Sequence, residues 1–369
     1  MGRIVQFGTS RFLQAHVDLF VHEAREAGQD VGPVTIVKTT PPSTSGRDGR
    51  IAAFGAPGGY PVIIRGLVGG AEVDRTVMVR AVDRGISAHA EWSEVVRLFV
   101  GEADIAVSNT GDTGYAMLEQ DGAPPAAGET PAGFPAKLLA LLLARHAAGG
   151  RPLSVLPCEL ISGNGRTLRA AVGDLARRWS VADAFLEWLD RDVIFANTLV
   201  DRIVSAAIEP VGAVAEPYAL WAIQRVPGLA APMLHPDVVM TDALEPYERL
   251  KLHILNLGHT YLAEIWRVRQ LAPDATVRGM LDDAGIRESL RRLYDDEVVP
   301  GFAARGLGAE AERYVATTME RFANPFLDHL VADIAQHHAV KIERRVGAFL
   351  DWSGRRDHSP RLAELQREG

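Results

Sequence analysis

Lys251, Asn256 and His259 lie within nine residues of a segment that has a helical pattern. At about 100° per residue, His259 lies roughly 80° and Asn256 roughly 140° from Lys251 around an ideal helix, so all three can face one cleft. Such a group supplies a proton acceptor, an oxyanion donor and an orienting hydrogen bond. We therefore interpret Lys251 as the general base for alcohol oxidation and the general acid for carbonyl reduction. Asn256 and a second amide, Asn164, are the candidate oxyanion hole.

Metal binding is a competing use of these side chains. His253, His259 and the adjacent His337 and His338 are the candidate ligands, but the sequence has no HExxH motif and no Cys/His cluster with zinc spacing. We therefore predict a metal-independent reaction and interpret His337 and His338 as solvent-facing helical residues. In a further alternative these side chains have no catalytic role: Lys251 is a solvated surface lysine, and His259 is a structural histidine.

The start of the chain has the pattern of a nucleotide-binding unit. The hydrophobic pattern predicts a strand over residues 3–8, a helix over residues 11–27 and a second strand over residues 33–38. Small residues in the first turn let the backbone approach a pyrophosphate, next to the free N–H groups of the helix. A plain tight turn is the alternative, because no second or third glycine follows the first. The predicted cofactor-binding residues here are Phe7, Gly8, Thr9, Ser10, Arg11 and Phe12.

The choice between NAD and NADP is open at this level. An acid at the end of the second strand usually binds the cofactor ribose, but this strand ends Val37-Lys38-Thr39-Thr40. Lys38 or Arg47 would suit a 2′-phosphate, which by this chemistry alone favours NADP slightly.

Strand and helix patterns alternate up to about residue 240, and helical patterns dominate after it. The sequence therefore predicts an α/β domain with a Rossmann-like doubly wound sheet over residues 1–240 and a mostly α-helical domain over residues 241–369. A loop is predicted for residues 39–59 and a hairpin for residues 60–81.

The composition is that of a globular enzyme, with 47% hydrophobic and 23% charged residues in a chain of 369. The net charge of −8 gives no support to nucleic-acid binding. No apolar run is long enough for a membrane span, and the first residues do not have the pattern of a signal peptide. The single cysteine, Cys158, excludes an internal disulfide and, beside Glu159, is a poor nucleophile. We expect a cytoplasmic monomer or homodimer acting on a small molecule.

These features together resemble the mannitol dehydrogenase family of polyol-specific long-chain dehydrogenases and reductases. Lys251, Asn256 and His259 match the family's Lys-x4-Asn-x2-His motif, and Val200-Asp201-Arg202 matches its Val-Asp-Arg signature. The other matching segments are Gly8 to His16, Ser108-Asn109-Thr110, Phe134-Pro-Ala-Lys137, Asn164-Gly165 and Arg321-Phe-Ala-Asn324-Pro325 with His329.

The resemblance implies a metal-free enzyme with a nicotinamide cofactor, and it places NAD before NADP. It implies that Lys251 is the acid/base and that Asn164 and Asn256 contact the reacting oxygen. Asp201 and His259 are then expected near the substrate. The further cofactor-binding residues that it implies are Ser108, Asn109, Thr110 and Lys137.

The details are most similar to the hexuronate reductase branch, through Ile64-Arg65-Gly66, Leu156-Pro-Cys-Glu-Leu160 and Glu216-Pro-Tyr-Ala-Leu-Trp221. Such enzymes reduce a keto sugar acid of the tagaturonate or fructuronate type to an aldonate. A buried substrate carboxylate needs a cation, for which Arg65, Arg202 and Arg345 are the candidates. The alternatives are a dehydrogenase of polyols, such as mannitol, arabinitol or a phosphate ester, and a non-catalytic nucleotide sensor with the same fold.

Overall fold

The computed structural model of the chain describes residues 2–41, 49–111 and 114–368. The chain forms two compact units, which are described separately below. Unit 1 comprises Met1–Ile64 and Arg75–Leu244, and unit 2 comprises Arg65–Asp74 and Glu245–Gly369. The short segment Arg65–Asp74 therefore belongs with the C-terminal helices, an assignment that the sequence pattern does not indicate.

Unit 1 contains three β-sheets. The strands are β1 Arg3–Phe7, β2 Val34–Lys38, β3 Tyr60–Val68, β4 Ala71–Val79, β5 Val82–Ser87, β6 Ala103–Ser108, β7 Leu153–Pro157, β8 Val193–Phe195, β9 Thr198–Asp201, β10 Val204–Ala207, β11 Ala213–Ala215, β12 Leu220–Gln224 and β13 Val238–Thr241; the ends of β3 and β4 that meet at their turn belong to unit 2. The main sheet is parallel, with the order β5-β2-β1-β6-β7-β8. This is the doubly wound order, which reverses between β1 and β6.

Two smaller sheets accompany the main one. Their strand orders are β10-β11-β3-β4 and β13-β12-β9. The predicted hairpin is present as β3 and β4, whose turn contains Gly69 and Gly70 with φ of 59° and 77°. Positive φ at two successive residues is the requirement of a tight hairpin turn, which glycine meets without steric cost.

The helices of unit 1 cover the main sheet. They are α1 Arg11–Gln14, α2 Val17–Glu26, α3 Gly49–Ala53, α4 Trp92–Gly101, α5 Phe134–Ala147, α6 Asn164–Arg178 and α7 Asp183–Asp192. The five residues of β2 are all buried, as are four of the five in β1, as expected for strands covered on both faces. The predicted α/β doubly wound fold is confirmed.

Two local predictions in unit 1 were wrong. The helix predicted for residues 11–27 is interrupted between α1 and α2, because His16 leaves the helical conformation with ψ of −93°. Its ring lies between Phe12 and Phe20, and its Nε2 is 3.1 Å from the carbonyl oxygen of Leu220. The loop predicted for residues 39–59 contains α3; residues 42–48, which include the candidate Arg47, lie outside the described residues.

Unit 2 is mostly α-helical, as predicted. Its helices are α8 Glu245–Leu250, α9 Asn256–Val268, α10 Val277–Asp282, α11 Ala284–Leu293, α12 Val299–Ala303, α13 Gly308–Phe322, α14 Val331–Ile334, α15 His338–Ile342, α16 Ala348–Ser353 and α17 Pro360–Glu368. Three π-helical turns, Lys251–Leu255, Tyr294–Val298 and Glu343–Gly347, interrupt longer helical runs. The first of them packs against the other two. Among the described residues, no helix is both long and apolar enough to cross a membrane.

Glu297 fixes the last helix of unit 2 in place. Its buried carboxylate accepts hydrogen bonds from the backbone N–H groups of Arg361 and Leu362, each at 3.0 Å, in the first turn of α17. A carboxylate at a helix N-terminus satisfies donors that have no partner within the helix.

We predict that Glu297→Ala lowers the local opening free energy of α17 by about 1–3 kcal/mol, because two N–H groups lose their acceptor. Hydrogen exchange of the α17 amides measures this change. Asp296→Ala is the matched control, since its exposed ion pair with Arg361 should contribute less than about 1 kcal/mol. Equal effects of the two substitutions would contradict the prediction.

Candidate active site

The turn after β1 is narrow where it meets the end of β6. Gly8 has φ of +123°, and a Cβ atom built on it would lie 2.6 Å from the carbonyl oxygen of Asn109. The hydroxyl of Ser10 accepts a hydrogen bond from the N–H of Leu13 at 3.2 Å, and Gln14 Nε2 donates to the Thr9 carbonyl oxygen at 3.2 Å. Glycine is therefore required at position 8 by the neighbouring strand end.

The other predicted residues of this turn differ in exposure. Phe7 is fully buried between Phe99 and Phe134, so its side chain belongs to the core. Arg11 is exposed, and Phe12 stacks on His16 with ring centroids 4.7 Å apart.

The end of β6 is tied to the end of β7 by side-chain hydrogen bonds. Asn109 Nδ2 donates to the carbonyl oxygen of Cys158 at 2.8 Å. Ser108 Oγ, Thr110 N and Thr110 Oγ1 each donate to the Glu159 carboxylate at 3.0 Å. The resemblance indicates Ser108, Asn109 and Thr110 as cofactor residues, whereas the sequence prediction gives Glu159 no role; the signal for it is its place two residues after a buried strand.

Burial perturbs several groups in this region. Desolvation raises the pKa of the Cys158 thiol well above its ordinary value, and the adjacent Glu159 raises it further. This environment opposes a thiolate, as expected from the sequence. Burial also lowers the pKa of Lys137 to about 8, and its Nζ donates to the Ala132 carbonyl oxygen at 2.6 Å. Lys38 is 8% exposed and interacts with another group of the protein.

The side chain of Asn164 is fully buried, and both of its polar atoms contact backbone groups. Its Nδ2 lies 3.0–3.1 Å from the carbonyl oxygens of Pro157, Glu159 and Thr198. Its Oδ1 accepts from the N–H groups of Gly165 and Thr198. Asn164 therefore joins the end of β7 to the start of β9, and its contact with the reacting oxygen stays a prediction.

Each nitrogen atom of the Arg202 guanidinium donates to a backbone carbonyl oxygen. Its Nε and Nη2 donate to Glu216 at 3.0 and 2.9 Å, and its Nη1 donates to Ala15 at 2.7 Å. Burial lowers its pKa to about 10, so the guanidinium stays charged at neutral pH. These contacts give Arg202 a structural role, and its role as a carboxylate ligand stays a prediction. The neighbouring Asp201 is 4% exposed at the end of β9.

Lys251 begins the first π-helical turn of unit 2, and this changes the predicted geometry. The N–H of Asn256 donates to the carbonyl oxygen of Lys251, five residues earlier. Residues five apart lie roughly 140° apart in an α-helix, but the i→i+5 hydrogen bond of a π-helical turn brings them closer together around the helix axis. His259 then follows one α-helical turn after Asn256. The ideal-helix angles in the sequence prediction were therefore wrong, because the π-helical turn reduces the angle between Lys251 and Asn256.

Tyr294 stabilises the π-helical turn Lys251–Leu255, and its hydroxyl occupies the space that a side chain at position 258 would need. Tyr294 Oη donates to the carbonyl oxygen of Ile254 at 2.9 Å. A Cβ atom on Gly258 would lie 1.9 Å from this hydroxyl oxygen. The residue before His259 must therefore be glycine for the tyrosine to reach the backbone.

His259 is 7% exposed and lies among aromatic rings. Its ring centroid is 4.5 Å from that of Phe322 and 5.0 Å from that of His329. Burial lowers the pKa of His329, which favours its neutral form. His329 is a neighbour that the family pattern indicated and the helical spacing did not.

Arg345 and His253 join two of the π-helical turns. Arg345 Nη1 donates to the carbonyl oxygen of Asn256 at 3.1 Å and to Thr260 Oγ1 at 2.9 Å. His253 Nδ1 lies 2.9 Å from the carbonyl oxygen of Arg345, while its Nε2 faces Arg249 Nη1 at 3.3 Å. We assign the neutral tautomer with the proton on Nδ1, since Nε2 must accept from the arginine. This group of contacts fixes the helix that carries Lys251 and Asn256.

Three arginines were candidates for a substrate carboxylate, and their contacts now distinguish them. Arg65 is paired with Asp74 at 2.8 Å, and each nitrogen atom of Arg202 donates to a backbone carbonyl oxygen. No salt bridge to Arg345 occurs within residues 2–41, 49–111 and 114–368. Burial and, after it, Arg344 lower the pKa of Arg345 to about 10, so it is cationic at neutral pH.

The histidines do not form a metal centre in the described part of the chain, which contains no group of three His, Cys, Asp or Glu residues with ligand geometry. His338 is not solvent-facing as predicted: its Nε2 lies 2.8 Å from Glu264, and its side chain is 11% exposed. His337 is exposed, with φ of 53°.

Comparison with known proteins gives consistent matches over nearly the whole chain. The family models described as mannitol dehydrogenase Rossmann domain and mannitol dehydrogenase C-terminal domain match residues 2–235 and 243–362. Altronate oxidoreductase of Klebsiella pneumoniae (strain 342) is 33% identical over 375 aligned residues, which cover 93% of this chain and 74% of the relative. Altronate oxidoreductase of Halalkalibacterium halodurans is 29% identical over 390 residues, covering 97% and 72%.

Two solved structures share the fold. A D-sorbitol dehydrogenase in its substrate-free form has a TM-score of 0.77 and 20% identity, covering 94% of this chain and 75% of its own. Pseudomonas fluorescens mannitol 2-dehydrogenase, in a ternary complex with NAD and D-mannitol, has a TM-score of 0.73 and 19% identity, covering 99% and 78%.

His253 generates a pH-dependent prediction. Burial lowers its pKa from 6.5 to about 4, so between these values the unfolded chain binds a proton that the folded chain does not. Stability should therefore fall as the pH drops from about 6.5 towards 4. We predict that His253→Asn, whose amide can replace the Nδ1 donor, reduces this fall by about 1–3 kcal/mol.

Calorimetric unfolding from pH 4 to 7 measures the effect. His337→Asn is the matched control, because His337 is exposed and asparagine tolerates positive φ. If both variants lose stability on acidification as steeply as the wild type, His253 is not the titrating group.

Proposed function

Because the chain belongs to the mannitol dehydrogenase family and is an oxidoreductase, we propose that it interconverts a keto sugar acid and the corresponding aldonate without a metal ion. The observation that supports this proposal is the π-helical turn that brings Asn256 closer to Lys251 around the helix axis, with His259 one turn further on. An amine, an amide and an imidazole on one side of a helix suit proton transfer at a substrate oxygen.

Each of the three residues has a distinct role in the proposal. In the oxidation direction, the neutral Lys251 amine takes the proton from the substrate hydroxyl, and in the reduction direction the ammonium returns it. Asn256 donates a hydrogen bond to the same oxygen, whose partial negative charge grows as the proton leaves. His259 orients a further substrate hydroxyl. Asp201 stays a proposed substrate neighbour on the basis of the family signature.

A nicotinamide dinucleotide is the proposed cofactor, and when bound it accepts or supplies the hydride. The doubly wound strand order fits such a ligand, as does the turn at Gly8, where a side chain would meet the Asn109 carbonyl oxygen. The proposed contacts in this unit are the backbone from Phe7 to Phe12, Ser108, Asn109, Thr110 and Lys137. We place NAD before NADP, because Lys38 is buried and has its own interaction. Binding of NADH against NADPH, followed by fluorescence, tests this order.

The proposed substrate class rests on a cation and on the relatives. Altronate, in the name of two relatives, is an aldonate. Arg345 is a half-buried cation that donates to the carbonyl oxygen of Asn256, and no carboxylate in the described part of the chain is paired with it. A charged guanidinium beside the proposed oxyanion donor favours a substrate that carries a carboxylate. Neutral polyols are the second substrate class to test.

Lys251→Met tests the proposed acid/base, since methionine keeps an unbranched chain and removes the amine. We predict that kcat falls by about 10²–10⁴-fold while the Kd for NADH changes less than about threefold. The assay follows the absorbance of the reduced nicotinamide with tagaturonate, fructuronate, mannitol and arabinitol. Turnover that survives in a folded variant contradicts the role of Lys251. Faster turnover of the polyols than of the keto acids contradicts the substrate class.

Arg345→Gln tests the proposed carboxylate contact. We predict that it raises KM for a keto sugar acid by about 10–100-fold, the effect of losing a charge-assisted hydrogen bond. Because Arg345 also holds Asn256, a neutral ketose serves as the reference substrate, whose KM should change much less. Arg65→Gln is the matched control, since Arg65 already has Asp74 as its partner. Equal losses with both substrates would make Arg345 a structural residue only.

A further inference from the structure

Glu159 is a buried carboxylate held by four neutral hydrogen-bond donors. It is 3% exposed, and its Oε1 accepts from Thr110 N and Thr110 Oγ1. Its Oε2 accepts from Ser108 Oγ at 3.0 Å and from Tyr115 Oη at 2.7 Å. No cation in the described ranges forms a salt bridge with it. Its negative charge is therefore stabilised by hydrogen bonds, without being neutralised by an ion pair.

The position of Glu159 in the sheet relates it to one half of a dinucleotide. The main sheet consists of two mononucleotide-binding halves, β1-β2-β5 and β6-β7-β8, which meet at the switch between β1 and β6. In this fold the first half binds the adenosine moiety and carries the pyrophosphate turn. The nicotinamide moiety therefore falls to the second half, and Glu159 lies two residues after β7, in that half.

We propose that Glu159 is a specificity-determining residue that makes the protein prefer the oxidised over the reduced form of its nicotinamide cofactor. This inference rests on the cofactor assignment made above. The oxidised nicotinamide ring carries a positive charge and the reduced ring is neutral, while the rest of the cofactor is the same. A fixed negative charge at this strand end attracts only the oxidised ring, and burial limits the screening of this attraction.

Glu159→Gln removes the charge and can keep the hydrogen bonds. The glutamine Oε1 accepts from Thr110 as before, because that side offers an N–H group. The glutamine NH₂ then faces the hydroxyls of Ser108 and Tyr115, which can rotate and accept. Tyr115→Phe is the matched control, because it deletes one hydrogen bond of the same carboxylate and retains the charge.

The experiment measures Kd for NAD⁺ and for NADH by calorimetry, without sugar substrate. We expect Glu159→Gln to weaken NAD⁺ binding relative to NADH by at least about threefold, the effect of one charge acting across a partly screened distance. Tyr115→Phe should leave the ratio of the two Kd values within about twofold of the wild type. An unchanged ratio in folded Glu159→Gln, or the same shift in Tyr115→Phe, overturns the proposal.

A second variant covers the case in which Glu159→Gln does not fold. Leu160 is 68% exposed and directly follows Glu159, so Leu160→Lys adds a positive charge at the same strand end without touching the four hydrogen bonds. The Kd ratio should shift in the same direction by a smaller factor, and an unchanged ratio then overturns the proposal. If neither NAD⁺ nor NADH binds the wild type, it is the cofactor assignment that fails.

Discussion

The five-residue spacing of the hydrogen bond between Asn256 and Lys251 is the constraint on which unit 2 depends. A π-helical turn fits an extra residue into the helix, and the backbone around it needs partners from other elements. Tyr294 supplies a hydroxyl to Ile254, and this contact in turn requires glycine at position 258. Arg345, which lies in another π-helical turn, contacts His253 and Asn256 and so stabilises the same turn from outside. The alignment of Lys251 with Asn256 is therefore a property of the packed unit and not of the helix alone.

Unit 1 uses buried polar side chains in a similar way. Glu159, Asn164 and Arg202 each direct their hydrogen bonds to backbone groups or to short side chains at the ends of strands. An unpaired buried polar group costs free energy, so these saturated contacts fix the strand ends relative to one another. The carboxyl edge of the sheet is thereby a rigid surface, which is what a site that must hold a cofactor in one orientation requires.

The sequence predicts the fold because hydrophobic periodicity is a local property, and both the doubly wound sheet and the helical C-terminal part follow from it. It does not predict the π-helical turn, since the hydroxyl that stabilises the turn comes from Tyr294, distant in sequence. The interruption at His16 has the same origin, because the partners of its ring include the carbonyl oxygen of Leu220. The backbone partners of Asn164 and Arg202 are not predictable either, because residue type alone does not reveal which groups a buried side chain contacts.

The number of N–H groups already used in hydrogen bonds distinguishes an arginine that positions the backbone from one that remains available to a ligand. An arginine whose nitrogen atoms each donate to a carbonyl oxygen keeps fewer N–H groups for a carboxylate, and breaking the existing bonds would leave buried partners unpaired. Arg202 is in this state, whereas Arg345 uses only its Nη1 in the described hydrogen bonds and remains cationic. A lysine, an amide and an imidazole serve the oxidation of any secondary alcohol. In the proposed reaction, discrimination between an acidic and a neutral sugar would therefore come from the placement of cations such as Arg345 around the helix that carries Lys251.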